Sequence, residues 1–402
     1  MKGNGIYWIL LGLFILFGCS KEAIPAVTRE ELFTFQVGRL EDQIAVYNLE
    51  GDLGIRRTNL AMRDGLFYIS DGPGAKIVRY NSYGNPLFMV YNEETNPLPM
   101  TLRTVDKMPE GEVVTRWAFT YPLQNPGKLT VDSRKHIYAE DRLPEERHSF
   151  DPENRAVLNN AVLHFDADGN FIEYLGREGI GGSPFPKIEG LYTSANDELA
   201  VVCRLPTGWN VYWFDPDGMA LYLVEIRQDT IPIAPGKEKV FASLDTIIAA
   251  PDARKLYIKT DYYRDTYDAS TNTRSGNEPD SSVIWVMQVE DGSYQKTIDV
   301  PFFESTFIEN SLKITGKMFY SLLGVIKNER IFLQFPVENG YSLLILTPET
   351  REQRQGFIQV RNEELLFNAF ALSPEGILSA LLAGNWDVKL VWWRTDKFIE
   401  SF

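Results

Sequence analysis

The chain holds two cysteines in 402 residues, Cys19 and Cys203. A disulfide framework is therefore excluded as the source of stability, and the fold must stand on a buried core. It has three histidines, His136, His148 and His164. They read as a tight-turn, a long-loop and a strand residue, so no convergence and no histidine-based zinc site is expected. No extended basic segment is present: net charge is -15, and "IRRTN" and "SRKH" are short and flanked by acids. Such a surface repels a nucleic-acid backbone. No stretch keeps a 3.6-residue apolar period for long, which excludes a helical bundle. Gly-x-Ser-x-Gly, P-loop and His-Glu-x-x-His patterns are also missing. These are signatures of serine hydrolases, nucleoside triphosphatases and zinc peptidases.

What is there is a folded composition, 44% hydrophobic and 24% charged, with 13% aromatics, which favours β-structure. The opening "MKGNGIYWILLGLFILFGCSKE" places Lys2 before an apolar run over residues 6–17. That run is shorter than the roughly 20 residues needed to span a bilayer and fits a signal-peptide core. Its ending, Leu16-Phe17-Gly18-Cys19, resembles a bacterial lipobox. The resemblance implies removal of residues 1–18, a lipid such as palmitate on Cys19, a tether over residues 19–31 and one exported domain over 32–402. Cys203, in the apolar run "LAVVC", then reads as a packed small hydrophobe.

The body repeats itself. "NLAMRDGLFYISDGPGAKIVRYNSYGNPLFMVYN" holds four short apolar pieces bounded by Gly, Pro, Asn or Asp. The order of apolar piece, turn, apolar piece, gap, apolar piece, turn, apolar piece returns in units starting near residues 59, 128, 190, 246, 318 and 369. These are strand signals, and six four-stranded units predict an all-β, six-bladed β-propeller of antiparallel blades. An eight-bladed disc is the structural rival. "LFTFQV" and "QIAVYNL", before the first unit, are expected to pair with the last blade and cover its edge.

The first unit, "GLFYISDGPGAKIVRYNSYGNPL", and the second, "VDSRKHIYAED" with "VLHFDADGNFIEYLG", resemble NHL-repeat propellers. That resemblance implies a platform for protein or RNA, or in relatives an enzyme, and so leaves function open.

"DADG" at residues 166–169 has the look of half a calcium loop. The same position reads "SYGN", "DPDG" and "VEDG" in other units, and Gly169 follows Asp168 directly. Asp and Gly suit hairpin bends, so the motif is expected to be a turn. Turns between strands one and two and between three and four are short throughout. Nearly every insertion falls on the other side, at residues 91–127, 141–160, 228–245, 261–281 and 301–317. An extra hairpin is expected around "GEVVTRWAFTYPL" in the first of these.

One elaborated face points to contact. Within it Tyr262, Tyr263, Arg264 and Tyr267 combine the aromatic and arginine character of interface anchors. Arg142, Arg147 and Trp117 are further candidates, and Trp209 and Trp386 weaker ones. The expected function is a lipid-anchored envelope scaffold or receptor, exposed to the periplasm or cell surface. Its partner would be a protein or a glycan, with no cofactor and no metal. The alternative is a calcium-dependent lactonase or other hydrolase, for which the innermost strands offer few carboxylates.

Overall fold

The computed structural model describes residues 24–46, 57–104, 115–175, 184–309 and 312–400, without side chains at 306–315. Cys19 lies outside the described residues.

Short alternating segments fold into radially arranged sheets. The first blade holds Asn59–Arg63, Leu66–Asp71, Lys76–Tyr80 and Pro86–Tyr91. The second holds Leu129–Val131, Ile137–Arg142, Asn160–Phe165 and Phe171–Leu175, and the third Lys187–Thr193, Leu199–Leu205, Gly208–Phe214 and Ala220–Arg227. The fourth holds Val240–Ala249, Lys255–Tyr267, Arg274–Gln288 and Tyr294–Val300, and the fifth Ser321–Ile326, Arg330–Val337, Gly340–Thr347 and Glu352–Gln359. The expected all-β propeller is present, with five self-contained blades rather than six. The last unit supplies only Phe367–Leu372, Leu378–Ala383 and Asp387–Trp393, and its outer strand is Arg29–Val37 from the other end of the chain. The physical reason is edge protection. A three-stranded terminal unit would leave Asp387–Trp393 unpaired, and the N-terminal strand covers it in antiparallel register from Arg29 opposite Trp393 to Gln36 opposite Asp387.

Within the segment expected to be a tether, Ala26 bridges Phe357 and the first strand begins at Arg29. Gln43–Ile44 adds a short parallel pair at the outer edge.

Every blade has a central pair of strands that is apolar on both faces, such as "LAVVCRL" and "GWNVYWF" in the third. These faces meet those of the next sheet. Tyr68, Ile77 and Phe88 of the first blade pack with Val131, Ile137 and Leu163 of the second. Phe35, Leu381 and Leu390 of the composite sheet pack with Leu60, Phe67 and Val78, which closes the ring. Cys203 is fully buried, as a packed hydrophobe should be, and burial pushes its thiol well up.

The insertions take forms that loop-like sequence did not reveal. Residues 261–281 are no loop but the prolonged ends of two paired strands, Lys255–Tyr267 and Arg274–Gln288, joined over 268–273. No hairpin forms in the described part of residues 91–127. Trp117–Thr120 instead runs parallel to Pro86–Tyr91 and widens the first sheet outward. Residues 141–160 carry a small hairpin, Ser149–Asp151 with Ala156–Leu158, and Phe303–Glu309 with Leu312–Met318 forms another.

Candidate functional site

The two faces of the disc differ. On the tight-turn face, polar groups join one blade to the next. Ser133 donates through N and Oγ to Asp197 at 2.7 and 2.8 Å. Arg254 reaches Glu198 with Nη2 at 2.5 Å, and Lys255 reaches Glu329 at 3.1 Å. Arg79 donates to the Ala167 carbonyl at 2.9 Å.

The "DADG" turn belongs to this stitching. Asp166 Oδ1 accepts the Asp168 and Asn170 N–H groups, each at 2.9 Å, and Gly169 takes φ +92°. The expected turn is therefore what forms, its carboxylate satisfied by its own backbone. A Cβ on Gly169 would stand 3.1 Å from the Phe119 ring. Trp117 does not lie among the contact residues of the other face, as expected of it. Its indole N–H donates to the Asp168 carbonyl at 2.5 Å, tying the widened first sheet to this turn.

The same face corrects the histidine expectation. His136 Nδ1 lies 2.9 Å from His164 Nε2, because Tyr138 pairs opposite His164 and the turn folds His136 over it. His148 stands apart, its Nε2 2.8 Å from the Leu143 carbonyl. Burial, then the charge His136 would carry and that of Arg134, push His164 down to about 4, against a smaller upward pull from Asp166. Glu173 lies 3.5 Å from its other nitrogen, and Tyr138 stacks on its ring. A histidine lowered from 6.5 to about 4 is neutral in the fold. Its stability contribution is complete above pH 6.5 and lost as pH falls toward 4. Discounted for water reaching half-buried His136, the loss is about 2 kcal/mol. Denaturant melts at pH 7 and 4.5 should show it, and His164→Phe should flatten that difference.

The long-loop face carries most of the exposed apolar side chains on loops, although Tyr83, Phe171, Ile172 and Met219 are exposed on the tight-turn side and Leu221 and Leu223 on the outer strand of the third blade. Leu98 and Met100 stand on the join after the first blade, Phe150 and Val157 form the middle pair of the small hairpin, and Ile233 precedes the fourth blade. Leu366 and Trp386 project from the composite sheet, Trp386 at 86% exposure. The Met100 join is held from below: Glu41, itself buried, accepts the Met100 and Thr101 N–H groups at 3.0 and 2.6 Å.

An aromatic shelf runs between the fourth and fifth blades. Phe241 and Tyr263 stack at 5.6 Å between ring centres, Phe319 meets Tyr263 edge-on at 5.3 Å, and Phe302 lies 5.4 Å from Phe319. Beneath it, buried Lys259 is held by Asp261 at 2.7 Å and Asp245 at 3.2 Å. Burial pushes the Asp261 carboxyl up, while Lys259 and Ser282 oppose the rise.

The predicted contact residues divide. Tyr263 is in the shelf. Arg264 is exposed beside it and pairs with Glu278 at 2.8 Å, and Tyr267 is 58% exposed on the arm. Tyr262 is no anchor, because alternation along its strand turns it into the core. There its hydroxyl donates to the Pro232 carbonyl at 2.6 Å and accepts from Trp285 Nε1 at 2.9 Å. Arg142 is exposed at the end of its strand, and Arg147 lies over the Tyr174 ring at 5.2 Å. Trp209 is buried beneath Arg204. Sequence reading did not single out Phe241, Phe302 and Phe319, and it placed Trp386, which is 86% exposed, among the weaker candidates. An aromatic next to a strand end carries no local mark of which way it faces.

Among the described residues no group of three or more His, Cys, Asp or Glu side chains is arranged to hold a metal ion. No family model and no curated protein matches the chain. Among solved structures it is similar to a gluconolactonase of Xanthomonas campestris (10% identity, 83% of this chain and 85% of that one, TM-score 0.40). It is also similar to a putative gluconolactonase (12% identity, 92% and 94%, TM-score 0.38). A third is the GH93 α-L-arabinofuranosidase of Fusarium graminearum (11% identity, 90% and 99%, TM-score 0.41). Scores this low carry no inference about activity.

Proposed function

We propose that the protein is a lipid-anchored binding platform of the bacterial envelope, whose long-loop face receives a protein partner. In this reading the composite sheet acts as the sixth blade of an NHL-like disc, and Cys19 carries the lipid. One observation supports it above the rest. Most of the exposed apolar side chains on loops, among them Leu98, Met100, Phe150, Ile233 and Trp386, lie on the insertions of one face, while the opposite face, which exposes Tyr83 and Met219, uses its charges to join blades. The arm of the fourth blade is a protruding two-stranded element with residues 267–278 exposed. Gly276, Pro279 and the pairs Arg264–Glu278 and Arg274–Asp265 guard its edges, so it offers side chains rather than a strand edge to a partner. From Cys19 to Ile24, the first described residue, the chain spans at most about 18 Å. The disc would therefore sit close to its membrane.

Among the described residues the hydrolase alternative has one carboxylate in the channel wall, Glu189, which Lys187 pairs at 2.7 Å. Lactone hydrolysis that stops on chelation would establish that reading in place of ours.

The test is recovery of partners from detergent-solubilised envelopes. Wild type is compared with a variant in which residues 265–276 are replaced by an Asn-Gly turn. Loss of a partner retained by wild type is the expected result, and an identical set from both variants would remove the arm from the contact. Cys19→Ala should release the protein from the membrane fraction.

A further inference from the structure

The inner strands of the ring enclose a cavity of about 290 Å³. That is near the lower end of the roughly 300–1,000 Å³ found for small-ligand sites. Three charged residues line it: Arg63, Lys128 and Glu189. A bulge between Ile188 and Gly190 places Glu189 there, and Lys187 already holds its carboxylate at 2.7 Å. The two cations are not so held. Arg63 donates from Nη1 to the Val131 carbonyl at 3.2 Å, and neither its guanidinium nor the Lys128 ammonium comes within ion-pair distance of a carboxylate among the described residues, although the Lys128 charge acts on Glu140 from further off.

This breaks a pattern. Lys76 is paired with Asp71, Lys259 with Asp245 and Asp261, and Arg57 with Glu140. In a chain of net charge -15, two half-buried cations that make no ion pair among the described residues line one cavity. A half-buried charge without a partner is costly, and low-dielectric walls focus its field into the cavity.

The rest of the wall is equally specific. Thr193 Oγ1 donates to the Val131 carbonyl at 2.9 Å, so the Thr130 hydroxyl is the donor in the long 3.3 Å contact between the two threonines. A stronger acceptor would capture that proton. Leu323, Phe370 and Leu372 supply apolar wall from the fifth blade and the composite sheet. Arg63 closes its strand on the tight-turn side, whereas Lys128 precedes its strand on the long-loop side. The cations therefore stand toward opposite ends.

We propose that the channel binds a small organic acid. A carboxylate sits against Arg63 and Thr130, and the hydrocarbon lies on Leu323, Phe370 and Leu372. A second carboxylate, where present, reaches toward Lys128. This site is separate from the protein-binding face and does not depend on it.

Isothermal titration calorimetry on the purified full chain tests this with acetate, glutarate, citrate, the neutral diamide of glutarate and inorganic phosphate. Saturable one-to-one binding of at least one carboxylate is expected, with glutarate at least about tenfold tighter than its diamide. Arg63→Gln should weaken it by about tenfold or more, and Thr130→Val by a smaller factor with the fold intact. Tyr83→Ala, on an exposed tight turn away from the cavity, should leave it unchanged. Absence of saturable heat for every carboxylate would overturn the proposal. So would full affinity in both Arg63→Gln and Thr130→Val, or phosphate binding more tightly than all the carboxylates.

Discussion

Replacing Glu364 with alanine is expected to destabilise the propeller by about 3 kcal/mol, because it breaks the clamp that holds the ring shut. Arg29 opens the N-terminal strand and donates to Glu364 through two nitrogens, at 2.9 and 2.8 Å. The Arg361 N–H and guanidinium add bonds at 3.1 and 3.2 Å, and Lys389 lies 3.6 Å away. Glu364 is buried, so its loss leaves these cations facing one another over an apolar gap. The N-terminal strand and the three C-terminal strands of the composite sheet are far apart in the chain, and this carboxylate joins the two. Denaturant unfolding checks the magnitude, and a change within about 0.5 kcal/mol would show that the clamp is dispensable. Hydrogen exchange adds a spatial readout. Residues 29–37 should lose protection before the third and fourth blades do.

The same carboxylate predicts acid sensitivity. Burial alone would raise its pKa, but Arg29 and the Arg361 N–H, with the charges of both arginines, bring it down to about 2. A depressed carboxyl stabilises the fold above its unfolded value of 4.5, and the contribution is lost as pH falls from there toward 2. Arg361 is half exposed, so screening reduces this contribution to about 2 kcal/mol. Glu364→Gln should remove that portion of the pH dependence.

Trp386→Ala is expected to weaken partner binding by roughly 30- to 1,000-fold, the range of a central aromatic anchor. At 86% exposure the side chain supports little of the fold, so the melting temperature should hold. Tyr83→Ala is the matched control: Tyr83 is 84% exposed but stands on the tight-turn face. Both variants would be titrated against the partner recovered from the envelope. Equal affinity for the two would refute the assignment of the binding face.

Much of the architecture was legible before any coordinates. The turn signals and β-rich pieces placed the inner strands at "NLAM", "KLTV", "GLYTS", "TIIAA", "YSLLG" and "AFALS", and residues from all six line the channel. The pairing of "LFTFQV" with the last unit was legible too, because an unpaired terminal strand needs a partner. The site was less so. Tyr262 and Tyr263 are chemically alike and adjacent, and only register decides that one is core and the other shelf. His136 and His164 are 28 positions apart and meet because two strands pair.

Local chemistry by itself determined the strands, their tight turns, the single elaborated side and the absence of any disulfide framework. These follow from side-chain period and from which residues tolerate a bend. Only the closed ring decided which aromatics face water, that two histidines touch, and that Arg63 and Lys128 line one cavity without an ion pair among the described residues. Each of those depends on groups distant in the chain being brought within a few ångströms, and no local pattern encodes that distance.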